Sequence, residues 1–305
     1  MKILAEGLGF PEGPVWLSDG SVLLVEISAG LLTRLRPDGT RQVVASPGAS
    51  PNGAAIGPDG ACYICNSGGF EWLKHADGSV RPGPQPADYS GGRIERVDLA
   101  TGELTVLYRN SDKAPLKGPN DLVFDSEGGF WFTDSGKRRS REQDFGAVCY
   151  ARIDGSECRE MIHPLMTPNG IGLSPDGSVL YVAETPTCRL WSFDIARPGQ
   201  LAGTPRSPAP HGGRLLAGLP GYQFFDSLAV EAGGNICVAT LLNGGITVLS
   251  PDGELVEHVP LPDPYTTNLC FGGAEMRTAW VTLGTTGRLV EMPWPRPGLR
   301  LHASS

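Results

Sequence analysis

The chain has no apolar run near the ~20 residues of a membrane span. Its opening residues, MKILAEGLGF, lack the apolar stretch of ~7–15 residues that a secretory signal requires. These two absences set the expectation of a soluble, cytoplasmic protein. Positive charge is scarce as well: 25 Lys and Arg face 33 Asp and Glu, for a net charge of −8. A surface that follows nucleic-acid phosphates needs the opposite balance, so neither nucleic acid nor a membrane is an expected partner. The densest basic run, Lys137-Arg138-Arg139-Ser140-Arg141, is followed at once by Glu142 and Asp144 and reads as a solvated loop.

Histidine is also sparse, and the five present, His75, His163, His211, His258 and His302, are expected at the surface. They offer neither a three-histidine zinc spacing nor a Ser-His-Asp arrangement. The seven cysteines are odd in number and lack a disulfide framework, as expected of free thiols in a reducing compartment. Cys62 and Cys65 form a C-x-x-C, but within ACYICN, which reads as a strand. Residues three apart on a strand face opposite ways, so the two sulfurs diverge. No stretch carries the 3.6-residue periodicity of a helix.

What the chain has is turns and short strands. Its 42 glycines and 27 prolines are spread evenly, while 40% of residues are hydrophobic and 19% charged, as in a globular chain rich in turns. Six segments align without gaps: EGPVWLSDGSVLLVE from Glu12, NGAAIGPDGACYICN from Asn52, NDLVFDSEGGFWFTD from Asn120, NGIGLSPDGSVLYVA from Asn169, DSLAVEAGGNICVAT from Asp226 and NLCFGGAEMRTAWVT from Asn268. Each is a polar residue, an apolar strand, a turn signal and a second apolar strand. Five of the turns place glycine where a hairpin calls for φ > 0, and the sixth places Met276 there. Successive first residues are 40, 68, 49, 57 and 42 apart, which suits four-stranded blades of ~40–50 residues with surface insertions. The predicted fold is all-β, a six-bladed β-propeller with four-stranded blades. It forms one domain over residues 1–305, with a C-terminal tail from about 296. The last repeat is one strand short, and MKILAEGLG is predicted to close the ring as its outer strand. The insertions at Ser67–Gly92, Ser135–Phe145 and GLPGYQFFD are expected above the channel, with Phe70, Trp72, Tyr222, Phe224 and Phe225 as candidate substrate walls.

The first strand of each blade lines a propeller's channel, so Glu12, Asn52, Asn120, Asn169, Asp226 and Asn268 should form a ring at one height. All six bear side-chain oxygen, and two are acids. Such a set needs a positive charge at its centre. A hard divalent cation suits it, because Ca²⁺ takes ~6–8 oxygen ligands from carboxylates and carbonyls alike. For Asn52 and Asn268 a contact to metal or substrate and a purely structural role both remain open. Asparagine ahead of a hairpin also bonds its own backbone.

EGPVW at Glu12, GPNDL at Gly118, PNGIGLSPDG at Pro168, DSLAV at Asp226 and TTNLCFGG at Thr266 resemble the family of gluconolactonases, regucalcin (senescence marker protein) and diisopropylfluorophosphatases. The resemblance runs from about residue 6 to 295 and implies the same six-bladed fold. It implies that Glu12, Asn169 and Asp226 bind one divalent metal, Ca²⁺ first, with Zn²⁺, Mn²⁺, Mg²⁺ or Fe²⁺ as alternatives. Asn120 would complete the set or contact substrate, and Asp121 would support it. The implied activity is hydrolysis of a small-molecule lactone such as glucono-1,5-lactone, or of a less polar lactone, with Asp226 as general base or nucleophile. An ester or organophosphate hydrolase on the same metal and a non-catalytic calcium-binding propeller are the alternatives. A monomer and a small homo-oligomer are equally compatible with the sequence.

Overall fold

The computed structural model describes residues 1–203 and 208–301, so His302 lies outside the described residues. Six antiparallel sheets of four principal strands each surround a central axis. Their inner strands are Pro11–Trp16, Pro51–Ile56, Pro119–Phe124, Pro168–Leu173, Phe224–Val230 and Thr266–Gly272, and each packs on the next in cyclic order. No helix occurs among the described residues. The predicted six-bladed propeller is the fold observed. The ring closes as expected: Lys2–Ala5 pairs antiparallel with Arg288–Pro293, with Ile3 opposite Val290.

The local chemistry explains the blade. In five hairpins between the inner and second strands, the turn glycine takes positive φ, from 71° at Gly177 to 94° at Gly234. Met276 adopts φ 55° in the sixth, where its side chain is buried. The second strands alternate into the gaps on both sides and are wholly apolar at the centre, as in GFWFTD at Gly129–Asp134. Phe130, Phe132, Tyr63 and Phe124 pack there with ring centroids 5.2–5.9 Å apart.

Each inner strand carries one residue more than its partner at the same point. Pro51 faces Asn66 while Ala54 faces Ile64, and the slip recurs at Glu12/Val15, Pro119/Leu122, Pro168/Ile171, Phe225/Leu228 and Thr266/Asn268. Such a bulge re-aims side chains and sharpens the local twist. Here it falls on or beside each ring residue. The inner strands also approach very closely. A Cβ on Gly53 would lie 2.5 Å from the Asn120 carbonyl oxygen, and one on Gly170 2.6–2.7 Å from backbone atoms of Asp226, Ser227 and Leu228.

Between the second and third strands of blade 2, the predicted Ser67–Gly92 loop holds its own hairpin, Trp72–Lys74 with Val80–Pro82. At the opposite end of the channel, a cavity of about 100 Å³ has mainly apolar walls, among them Ile171, Leu228, Phe271, Leu299 and Leu301. The Leu299 N–H donates to the Val230 carbonyl, which pins the C-terminal segment beneath the inner strands.

Gly170→Ala is expected to lower unfolding free energy by about 3 kcal/mol, the upper end of overpacking costs, because only backbone could yield. Gly177→Ala, with open space around the added methyl, should lose only the ~1–2 kcal/mol of its positive φ. Denaturant midpoints compare the two, and equal losses would refute the close-approach account.

Candidate functional site: an acid and amide cluster on the propeller axis

The six ring positions are all buried and all lie on inner strands. Several are directly joined. The Asn169 Nδ2 donates to Asp226 Oδ1 at 2.5 Å and to Thr185 Oγ1 at 3.1 Å. The Asn268 Nδ2 donates to Glu12 Oε2 at 2.7 Å, and the Gly13 N–H donates to the same oxygen at 2.6 Å. The Ser227 hydroxyl, fully buried, lies 3.5 Å from Glu12 Oε1 and 3.4 Å from Asn169 Oδ1. Opposite blades thus meet at one hydroxyl. The Asn120 Oδ1 is buried with no protein partner.

Threonine side chains tie the inner strands together. Thr133 Oγ1 donates to the Asn169 carbonyl at 2.7 Å and accepts from the Asp121 N–H at 3.1 Å. Thr267 Oγ1 donates to the Pro11 carbonyl at 2.9 Å, across the closure between blades 6 and 1. A second rule governs the loops entering the channel mouth. In the first four blades the last residue of the second strand, Glu26, Asn66, Asp134 or Glu184, is buried and accepts backbone N–H bonds from just ahead of the inner strand. The donors are Gly9, Ser50, Lys117 with Gly118, and Met166. A buried acceptor fixes each approach segment because the N–H would otherwise lack a partner.

The electrostatics are those of a site without a counter-charge. Burial, then the negative charge of Asp121, pushes Glu12 up to about 8. Burial pushes Asp121 up to about 7. Burial, then the charges of Glu12 and Asp121, holds Asp226 well above the usual carboxylate range. Among the described residues no Lys or Arg pairs with any of the three. No group of three or more His, Cys, Asp or Glu side chains there forms a metal cluster by itself. A cation on this axis would have to draw on amides as well. The acids, the unpartnered Asn120 Oδ1 and the all-oxygen chemistry fit a hard divalent ion.

Glu12, Asn169, Asp226 and Asn268 are therefore brought into one hydrogen-bonded cluster, with Asp121 close enough for its charge to act on Glu12 and Asp226, and Asn120 and Asn52 on the same ring. Ser227 and Thr133 complete it and went unread in the sequence. Their only signal was a hydroxyl beside a ring residue in DSLAV and one residue before the end of the repeat in FWFTD. Two expectations are corrected. Lys137 is not solvated: only 3% exposed, it donates to the Gly69 carbonyl at 2.8 Å under the Phe70 ring, and burial draws its pKa down to about 7. Its aliphatic stem and an aromatic roof made burial cheaper than the run of charges suggested. Phe225 is no substrate wall, because it lies fully buried in the core between blades 4 and 5. Tyr222 is exposed and Phe224 half-buried beside it, while Phe70 and Trp72 cover Phe10. Cys62 and Cys65 are buried free thiols.

The fold and the axial cluster define a class: six-bladed propellers with a buried carboxylate and amide ring at one end of the channel. Residues 10–285 match the family described as the SMP-30/Gluconolactonase/LRE-like region, and the chain belongs to it. Among its relatives, a gluconolactonase of Zymomonas mobilis is 26% identical over 89% of this chain and 76% of its own length. Lactonase drp35 of Staphylococcus haemolyticus is 28% identical over 86% of this chain and 72% of its own length. A solved gluconolactonase of Xanthomonas campestris superposes with a TM-score of 0.74 at 26% identity, over 96% of this chain and 89% of that one. The calcium-binding regucalcin of Agrobacterium tumefaciens shares the fold with a TM-score of 0.74 at 20% identity, over 98% and 97% of the two chains.

The raised acids make the metal-free protein sensitive to alkali. The folded state holds protons that the unfolded chain has released, so their stabilising contribution is whole below pH 4 and falls away as pH rises to about 8. Lys137 contributes the opposite slope from about pH 7 upward. Asp121→Asn should flatten the fall in Tm of chelator-treated protein between about pH 4 and 7. Parallel Tm profiles for variant and parent would contradict the raised carboxyl.

Proposed function

We propose that the chain is a metal-dependent lactonase. What carries the reading is the axial cluster itself: three buried acids, without a cationic side chain among their partners, interleaved with amides in a chain of gluconolactonase kinship. Glu12, Asn169 and Asp226 would hold a divalent cation, with Asn120 as the fourth oxygen donor or the first contact to substrate. When bound, the cation would polarise the lactone carbonyl and stabilise the charge that develops on its oxygen. Calcium is the first metal to test, given the calcium-binding relative of the same fold.

The chain's own residues would do the rest. Asn169 donates to Asp226 Oδ1 and so fixes the carboxylate while leaving Oδ2 for a water. With a cation beside it Asp226 would stay ionised, and its carboxylate would take the proton of the attacking water. The water oxygen bonds the carbonyl carbon, the ring C–O bond breaks, and the proton passes to the departing alkoxide. Asn268 anchors Glu12 and is given a positioning role. Asn52 and Asp121 would contact substrate or support that contact. An ester or organophosphate would use the same groups.

Two measurements test this. Asp226→Asn should lower kcat on glucono-1,5-lactone by about 10²–10⁴, the range of a lost general base. Metal analysis before and after chelation should show about one equivalent of divalent ion, whose return restores turnover. At 100 times its dissociation constant the ion should add ~2.7 kcal/mol of stability. Full activity in Asp226→Asn, or turnover indifferent to chelation, would sink the reading.

A further inference from the structure

The approach to Asn169 is latched at each step. Glu184 Oε1 accepts the Met166 N–H at 2.6 Å, Gln143 Nε2 donates to Thr167 Oγ1 at 2.6 Å, and Ser135 Oγ donates to the Pro168 carbonyl. Thr185, the first residue past the second strand of blade 4 (Val179–Glu184), adds two bonds. Its N–H donates to the Thr167 carbonyl at 3.2 Å, and its Oγ1 accepts from Asn169 Nδ2 at 3.1 Å. The backbone on both sides of Thr185 is strained. Thr167 lies at φ 49°, an outlier for a β-branched residue, and so does Cys188, whose N–H donates to the Thr185 carbonyl at 3.2 Å. Such conformations persist where the surroundings over-determine them, and they gather at functional sites. Here they hold a half-buried hydroxyl against a ring amide.

An amide side chain has two N–H donors and one oxygen, so the partners of its nitrogen decide where the oxygen points. The Asn169 nitrogen is spent on Asp226 Oδ1 and Thr185 Oγ1, which leaves Oδ1 facing the Ser227 hydroxyl and, across it, Glu12. Asn268 shows the other outcome. Its nitrogen goes to Glu12, and its oxygen is taken at 2.7 Å by the Leu269 N–H of its own strand. Asn169 therefore keeps its oxygen on the cluster, whereas Asn268 does not. Of the two groups that hold the Asn169 nitrogen, Asp226 is itself a candidate ligand, so a cation would draw on the same carboxylate. The Thr185 hydroxyl carries no charge and would keep its hold.

We propose that Thr185 is a positioning residue for the cation site: by accepting one Asn169 N–H it keeps the amide oxygen presented to a divalent ion, and so raises the affinity for that ion. The assignment rests on the metal part of the reading above and goes beyond it by naming a residue that acts through Asn169 alone. Partners that orient a ligand from behind commonly contribute 10- to 100-fold in metal affinity.

The test is calorimetric titration of Ca²⁺ alone, without substrate, into chelator-treated parent, Thr185→Val and Thr185→Ser. Valine keeps the shape and removes the acceptor, so its dissociation constant should rise about 10- to 100-fold. Serine keeps the acceptor and should stay within about threefold of the parent, a rescue that a purely structural role of the side chain would not produce. Thr185→Ala removes the same acceptor with less bulk and carries the test if the valine variant does not fold. Parent affinity in Thr185→Val, or an equal loss in Thr185→Ser, overturns the assignment while leaving the cation site itself standing. Failure of the parent to bind Ca²⁺, Mn²⁺ or Zn²⁺ is a different result, which removes the cation reading and this assignment with it.

Discussion

Three buried carboxylates, two of them held by the amides of Asn169 and Asn268 at the propeller axis, are the constraint on which this propeller is built. Ionised acids out of water are costly unless something positive stands among them, and here burial, joined at Glu12 and Asp226 by the charge of neighbouring acids, lifts each above its ordinary range. The surrounding architecture keeps them there. A bulge in every inner strand turns the ring side chains inward, glycines let neighbouring strands touch, and threonine hydroxyls stitch one blade to the next. A cluster so over-determined is pre-organised for whatever charge it receives.

The two ends of the channel differ in chemistry. At the ring end, buried Glu26, Asn66, Asp134 and Glu184 hold the approach segments by their backbone N–H groups. At the other end the inner strands turn apolar, and Leu299 and Leu301 line a small cavity beneath them. The scaffold supplies a fixed set of donors, and the loops above it are free to change what is recognised.

Much of this was legible in the chain because the repeat is written in chemistry that local physics enforces. A turn glycine after an apolar strand, at the same register in five copies, states both the hairpin and the position of the polar residue ahead of it. Met276 shows the limit: the fold tolerates a non-glycine at φ 55° where its side chain gains burial. What stayed hidden depends on contacts between blades. Ser227 looks like any strand serine until a strand 58 residues earlier brings Asn169 to it. Lys137 reads as one more surface cation, since nothing nearby in sequence announces the roof of Phe70 and Tyr89. Phe225 seemed available because its loop is aromatic, yet strand alternation sends it into the core.

The pairing of Lys2–Ala5 with Arg288–Pro293 sets the order in which this molecule can be made. The outermost strand of blade 6 precedes the other five blades in the chain, while its partner follows them. Five blades can assemble from neighbours in sequence, but the sixth must recruit a strand separated from it by nearly the whole chain. Contacts of that separation are the slow ones, and until they form both the open edge and the unclosed axis meet solvent. The acids on the axis come from blades 1, 3 and 5, so the complete site belongs to the ring as a whole and to no single blade.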